Sequence, residues 1–129
     1  MRVYIAGAVR TPIGKFGGTL AEWMAADLAV PVTAEALRRA GVPPAQVEEA
    51  IFGNARQAGG GPNVARQIAY RAGVPVTAPA YTVNQACGSG LKSIVLAYQE
   101  IVLGHWTILV GRTKWICRSR DYVQVVEGR

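Results

Sequence analysis

Between Leu91 and Leu103 the apolar residues recur at helical spacing: Leu91, Ile94, Val95, Tyr98, Ile101 and Val102, with Leu96 and Leu103 widening the surface beyond one stripe. A helix so broadly apolar must be covered from more than one side, so the spacing predicts a mostly buried helix inside a layered fold. What surrounds it narrows the choice. Residues 3 to 9, "VYIAGAV", are apolar on both faces, as in a strand covered on two sides. "AIFGN" (50 to 54), "AYTVN" (80 to 84) and "WTILV" (106 to 110) read as three more short strands. Between the first two, Thr19 to Glu22 has the spacing of a capping box, so a helix is expected from there to about Ala40, with Gly41 as its left-handed terminus. Pro31 lies inside it and predicts a kink or two abutting segments. A further helix is expected from about Asn63 to Ala72, closed by Gly73 and Pro75. Strands alternating with helices imply an α/β fold with a mixed, mostly parallel sheet and helices on its faces. The last fifteen residues show no settled period, and no terminal element is expected there.

The joint between the third strand and the long helix holds the chemistry. It reads "NQACGSGLKS" (84 to 93), with Cys87 surrounded by Ala86, Gly88, Ser89 and Gly90. The loop beyond a strand's carboxyl end is where open α/β sheets bind ligands. A helix N-terminus adds unpaired N–H donors and partial positive charge, which favour a thiolate or an oxyanion. Glycines let a substrate approach without a Cβ in the way. Magnitudes limit the effect. A free thiol is only ~3% ionised at pH 7, and reaching one half takes about 2 kcal/mol. A helix terminus usually supplies about 0.3 to 1 kcal/mol, so a base or cationic partner is needed. His105 is the only histidine, eighteen residues on, and a helix between would put it ~25 Å from Cys87. It is expected to cap helix-end carbonyls, leaving this chain without the base. Position alone also allows Cys87 to be a small buried residue filling a tight joint.

Composition sets the bounds. Half of the 129 residues are apolar and 17% are charged, enough for one domain or a large piece of one. No apolar run approaches the ~18 residues of a membrane span, and the N-terminus reads as a strand rather than a signal peptide, so a cytoplasmic protein without membrane contact is expected. The net charge of +6 is unevenly placed: residues 1 to 104 carry nine basic and six acidic side chains, and residues 105 to 129 five and two. Arg112, Lys114, Arg118 and Arg120 could attract phosphate, but no nucleic-acid motif accompanies them, so a solvated basic tail is expected. Cys87 and Cys117 are thirty positions apart, which is no metal-ligand pattern, and both are treated as free thiols.

With these residues in view, the chain resembles the N-terminal part of the thiolases, the family of acetyl-CoA acetyltransferases and 3-ketoacyl-CoA thiolases. The likeness rests on "RTPIGKFGG" (10 to 18), "GNARQAGGGPNVARQIA" (53 to 69), "AGVP" (72 to 75) and above all "VNQACGSGLKSI" (83 to 94). It spans residues 2 to 104, an incomplete thiolase N-terminal domain, and leaves 105 to 129 as an altered continuation: a fourth strand and a divergent basic tail. The resemblance implies part of a layered α-β-α domain and places the family's nucleophilic cysteine on Cys87, with its backbone N–H as an oxyanion donor. It implies coenzyme A thioesters as substrates, no permanently bound cofactor, and homo-oligomers paired through N-terminal domains. The family's activating histidine, second cysteine and CoA-holding insertion would all lie beyond residue 129. Cys117 is followed by Arg118 and Ser119 rather than the second cysteine's C-x-G pattern, and "VGRTKWICRSRDY" (110 to 122) departs from the family's small and acidic residues. Two readings follow: an acyltransferase working through Cys87, or a catalytically inactive thiolase fragment serving only as a folding or assembly unit. The isolated chain is expected to be inactive.

Overall fold

A computed structural model describes residues 2–115 and 120–128. The elements run β1 (Val3–Arg10), α1 (Ala25–Ala40), a short 3-10 turn (Pro44–Gln46), β2 (Glu49–Gly53), α2 (Val64–Arg71), β3 (Ala80–Val83), α3 (Ser89–Val102), β4 (Ile108–Trp115) and β5 (Arg120–Gly128). All five strands join one sheet in the order β1-β5-β4-β2-β3. The β4–β2 and β2–β3 pairs are parallel, and β5 runs antiparallel to both β1 and β4. Four strands therefore share one direction, and the expected mixed, mostly parallel sheet is what the chain forms.

The strand period sorts the core into two layers. Ala50 and Phe52 of β2 point to one face, where they pack with Val32, Ala36 and Leu37 of α1 and Val64, Ala65 and Ile68 of α2. Ile51 and Leu109 point to the other, against Ala97 and Ile101 of α3. Adjacent residues on opposite faces are what a strand with helices on both sides requires. This is an α-β-α arrangement.

Local chemistry explains the boundaries, and several differ from expectation. Thr19 to Glu22 form turns, and α1 begins six residues later than Thr19, where the Met24 N–H donates to the Asp27 carboxylate at 3.0 Å. Asp27 is a better anchor than Glu22 because its charge also faces the positive end of the helix. The helix is one element through Pro31, with no division into two segments, and it ends on Gly41 at φ +69° as expected. Glu48 brings β4 to β2, its carboxylate accepting from the N–H groups of Thr107 (2.6 Å) and Ile108 (3.0 Å).

Three larger corrections follow from the sheet order. First, β1 is an edge strand and is only partly covered, with Tyr4 and Ile5 exposed, so its apolar character does not reflect burial on both faces. Where it is covered, Gly7 allows α1 to approach: a Cβ there would meet the Ala36 carbonyl oxygen at 2.7 Å. Second, the C-terminal residues do form an element, since β5 fills the slot between β1 and β4. Arg112 and Lys114 fall on β4 and Arg120 on β5, whereas Cys117, Arg118 and Ser119 lie outside the described residues. Third, α3 is not mostly buried. Its covered stripe is Ser89, Ser93, Ala97 and Ile101, four residues apart, while Leu91, Val95, Tyr98 and Val102 are exposed. The small residues let α3 lie close on the sheet, with Ile101 the large residue of the covered stripe.

Candidate functional site

Cys87 lies in the five-residue loop between the end of β3 at Val83 and the start of α3 at Ser89. It is an exposed free thiol, which removes the reading of a small buried residue filling a joint. The loop stands at the carboxyl end of the parallel strands, where the expected ligand position is.

The backbone around it is tightly specified. Asn84 opens the loop: its Oδ1 accepts from the Ala86 N–H (3.1 Å), and its Nδ2 donates to the Ala55 carbonyl just past β2 (3.2 Å). The Gly88 N–H returns to the Gln85 carbonyl at 2.9 Å, closing a turn around the cysteine. Ala86 takes φ +46°, left-handed backbone that a residue with a Cβ rarely adopts. Ser89 is buried, with 1% of its surface exposed. Its hydroxyl accepts from the Gln85 N–H (2.9 Å) and donates to the Ala86 carbonyl (2.6 Å). Among the described residues, no hydrogen bond is made by the Cys87 N–H. An exposed thiol and a backbone N–H without a partner thus stand side by side.

Beneath the loop, Gly53 ends β2 directly against the α3 terminus. A Cβ at Gly53 would stand 2.5 Å from both the carbonyl carbon and the oxygen of Ser89, so only glycine permits this approach. On the loop's flank, Asn63 caps α2 by accepting from the Arg66 N–H (3.3 Å) and donates to the Ala80 carbonyl (2.8 Å), fixing α2 beside β3. Thr82 completes that joint by accepting from the Ala65 N–H at 3.0 Å.

His105 stands at the far end of α3. The helix between has fourteen residues, a separation of ~21 Å from its rise alone. Its backbone N–H donates to the helix-end carbonyl of Glu100 at 3.0 Å, as expected, and its ring Nδ1 lies 2.7 Å from the Glu100 Oε2. At the same end Glu49 is buried under α3 with Oε2 unpaired. Burial, reinforced by the nearby Glu100 charge and opposed by His105, pushes its carboxyl up to about 7. Burial and the same two carboxylates push Tyr81 up to about 12. These groups form a second polar cluster, remote from the thiol, and among the described residues no histidine reaches Cys87.

The sequence marked Cys87 but not Ser89, Ala86 or Gly53 as parts of the site. The signal for Asn84 was present, since asparagine is a residue that folds its side chain back on the main chain two positions on. Gly53 carried none, because its role depends on a helix thirty-six residues later.

Comparison with known proteins agrees with this fold. The family model for "Thiolase, N-terminal domain" matches residues 3–112. A probable acetyl-CoA acyltransferase of Staphylococcus aureus is 49% identical over 110 residues, 85% of this chain and 28% of that protein. An acetyl-CoA acetyltransferase of Cupriavidus necator is 50% identical over 109 residues, 84% of this chain and 28% of the relative. Among solved structures, Acat5 thiolase from Ascaris suum in complex with coenzyme A aligns with a TM-score of 0.84 and 41% identity, over 87% of this chain and 30% of the other. The acetyl-CoA acetyltransferase of Syntrophomonas wolfei gives 0.81 and 38%, over 85% and 28%. The chain therefore spans about 28% of the length of the curated relatives it matches. With a family model covering most of its residues and an α-β-α fold shared with solved thiolases, the chain belongs to the thiolase family.

Proposed function

We propose that Cys87 is the nucleophile of acyl transfer between coenzyme A thioesters, forming or cleaving acetoacetyl-CoA or a longer 3-ketoacyl-CoA in fatty acid metabolism. The observation that carries this reading is an exposed thiol two residues before α3, next to an open backbone N–H, in a chain 50% identical over 109 residues to an acetyl-CoA acetyltransferase. The Cys87 thiolate attacks the thioester carbonyl and the oxyanion forms beside the Cys87 N–H. The C–S bond to coenzyme A then breaks, leaving an acyl-cysteine and a CoA thiolate that takes up a proton. Because one thioester replaces another, the exchange is nearly neutral in energy. In the synthetic direction a second acetyl-CoA loses an α proton and its carbanion takes the acyl group, and cleavage is the reverse. The bases for both steps come from outside the described residues, His105 being at the wrong end of α3. A cytoplasmic homo-oligomer is the setting that suits this chemistry.

The test joins this chain to the remaining length of the Cupriavidus necator relative and supplies radiolabelled acetyl-CoA. Label on Cys87, lost in Cys87→Ala, is the expected result, and an unlabelled Cys87 in a folded protein overturns the reading. A second reading is favoured by the 28% coverage and the uncovered side of α3: by itself the chain is a folding or assembly unit. Accordingly the isolated chain is expected to cleave acetoacetyl-CoA no faster than background, and robust turnover would exclude that reading.

A further inference from the structure

The hydroxyl of Ser89 lies out of reach of solvent, yet it joins the two residues immediately upstream of the thiol. It takes the Gln85 N–H and gives its own proton to the Ala86 carbonyl, so one oxygen holds both ends of the Gln85–Ala86 segment. The Ser89 N–H adds a second donor to the same carbonyl at 3.2 Å. The Ser89 backbone is in turn seated closely against Gly53 of β2. Ala86, between these fixed points, takes a left-handed conformation that an alanine would leave if released. The residue after Ala86 is Cys87, whose N–H and Sγ are oriented by the Ala86 backbone.

We propose that Ser89 is a positioning residue for acyl transfer: its hydroxyl clasp holds Ala86 in left-handed backbone and so fixes the Cys87 N–H and Sγ relative to an oxyanion. This rests on the reading of Cys87 as an acyl nucleophile, but it concerns geometry and not the coenzyme. An acyl donor that contains no CoA therefore separates the two.

The experiment compares two reactions of Cys87 in the 129-residue chain. With p-nitrophenyl acetate the thiolate adds to the carbonyl, an oxyanion forms, the C–O bond breaks and p-nitrophenolate leaves. With iodoacetamide the thiolate displaces iodide and no oxyanion forms. Ser89→Ala is expected to lower the first rate about tenfold while the second stays within about twofold. Adding Ala86→Gly should recover most of that loss, because glycine takes the same φ without a steric penalty. An unchanged ratio of the two rates in folded Ser89→Ala, an equal fall in both, or no recovery with Ala86→Gly would each overturn the proposal. Should Ser89→Ala fail to fold, hydrogen exchange in the unaltered chain decides. A Gln85 amide protected well beyond its exposed neighbours supports the clasp, and one exchanging as freely as open chain refutes it. Failure of acetyl-CoA to label Cys87, with the ester result intact, would sink the coenzyme A reading and leave the clasp standing.

Discussion

Gly53 and Ser89 meet backbone to backbone, so the position of the candidate nucleophile is decided partly by an absent side chain in β2. A methyl group at 53 would need the α3 terminus to move, and both partners are main chain rather than flexible side chain. Gly53→Ala is expected to destabilise the chain by about 2–4 kcal/mol, read as a lower urea midpoint with unchanged slope. Glu49 gives a second prediction at this scale. Its carboxyl rises from 4.5 to about 7 in the fold, so the folded state holds this proton more tightly than the unfolded chain. The stability it contributes is whole below pH 4.5 and is lost as the pH climbs through about 7. The loss is roughly 1–3 kcal/mol. Glu49→Gln keeps the shape without the charge, so unfolding free energies measured across that window should fall less with pH than in the unaltered chain. Equal slopes would show that Glu49 is solvated.

Among the elements, α1 and α3 show how far local pattern reaches. Pro31 lies within α1 and cannot donate a backbone hydrogen bond, yet the helix continues because Leu28, Ala29, Val32 and Leu37 are buried around it. Tertiary burial outweighs one missing bond. Pro31 itself is exposed, so Pro31→Ala is expected to raise stability by about 1–2 kcal/mol, measured as a higher midpoint in urea. Loss of stability instead would mean that proline's restriction of the unfolded chain dominates. For α3 the periodicity located the helix correctly, but breadth of apolar surface was taken as burial. The residues that touch the sheet include the small Ser93 and Ala97 beside Ile101, and hydropathy does not rank the small ones highly. The distinction needs the distance between helix and sheet, which no single segment contains.

For the molecule as a whole, the consequence is an apolar strip on one outer face. Leu91, Val95, Tyr98, Val102 and Leu103 are exposed together along α3, with Leu91 at 69%. Strips of this kind are associated with self-association or with a covering partner. The purified chain is therefore expected to self-associate, giving a molar mass by light scattering above that of 13.7 kDa monomers. Tyr98→Lys with Val102→Lys should reduce that mass while leaving the unfolding free energy within about 0.5 kcal/mol. A monodisperse monomer in the unaltered chain would count against the strip as a sticky surface.

Cys87 at a strand-to-helix joint, the alternation of strands and helices, Asn63 before α2 and Gly41 after α1 were all legible in the sequence, because each depends on neighbours a few positions away. The order of the strands was not: β5 between β1 and β4, and β1 at an edge, depend on pairings between residues over a hundred positions apart. Nor were the clasp at Ser89 and the left-handed Ala86 legible: their hydrogen bonds span only three or four positions, but the seating of the Ser89 backbone against Gly53 joins positions thirty-six apart. Local pattern determined which segments would be helix or strand and where the thiol would stand. Tertiary packing alone decided which faces are covered and where the Ser89 backbone is seated against β2, because both are set by distances between segments far apart in the chain.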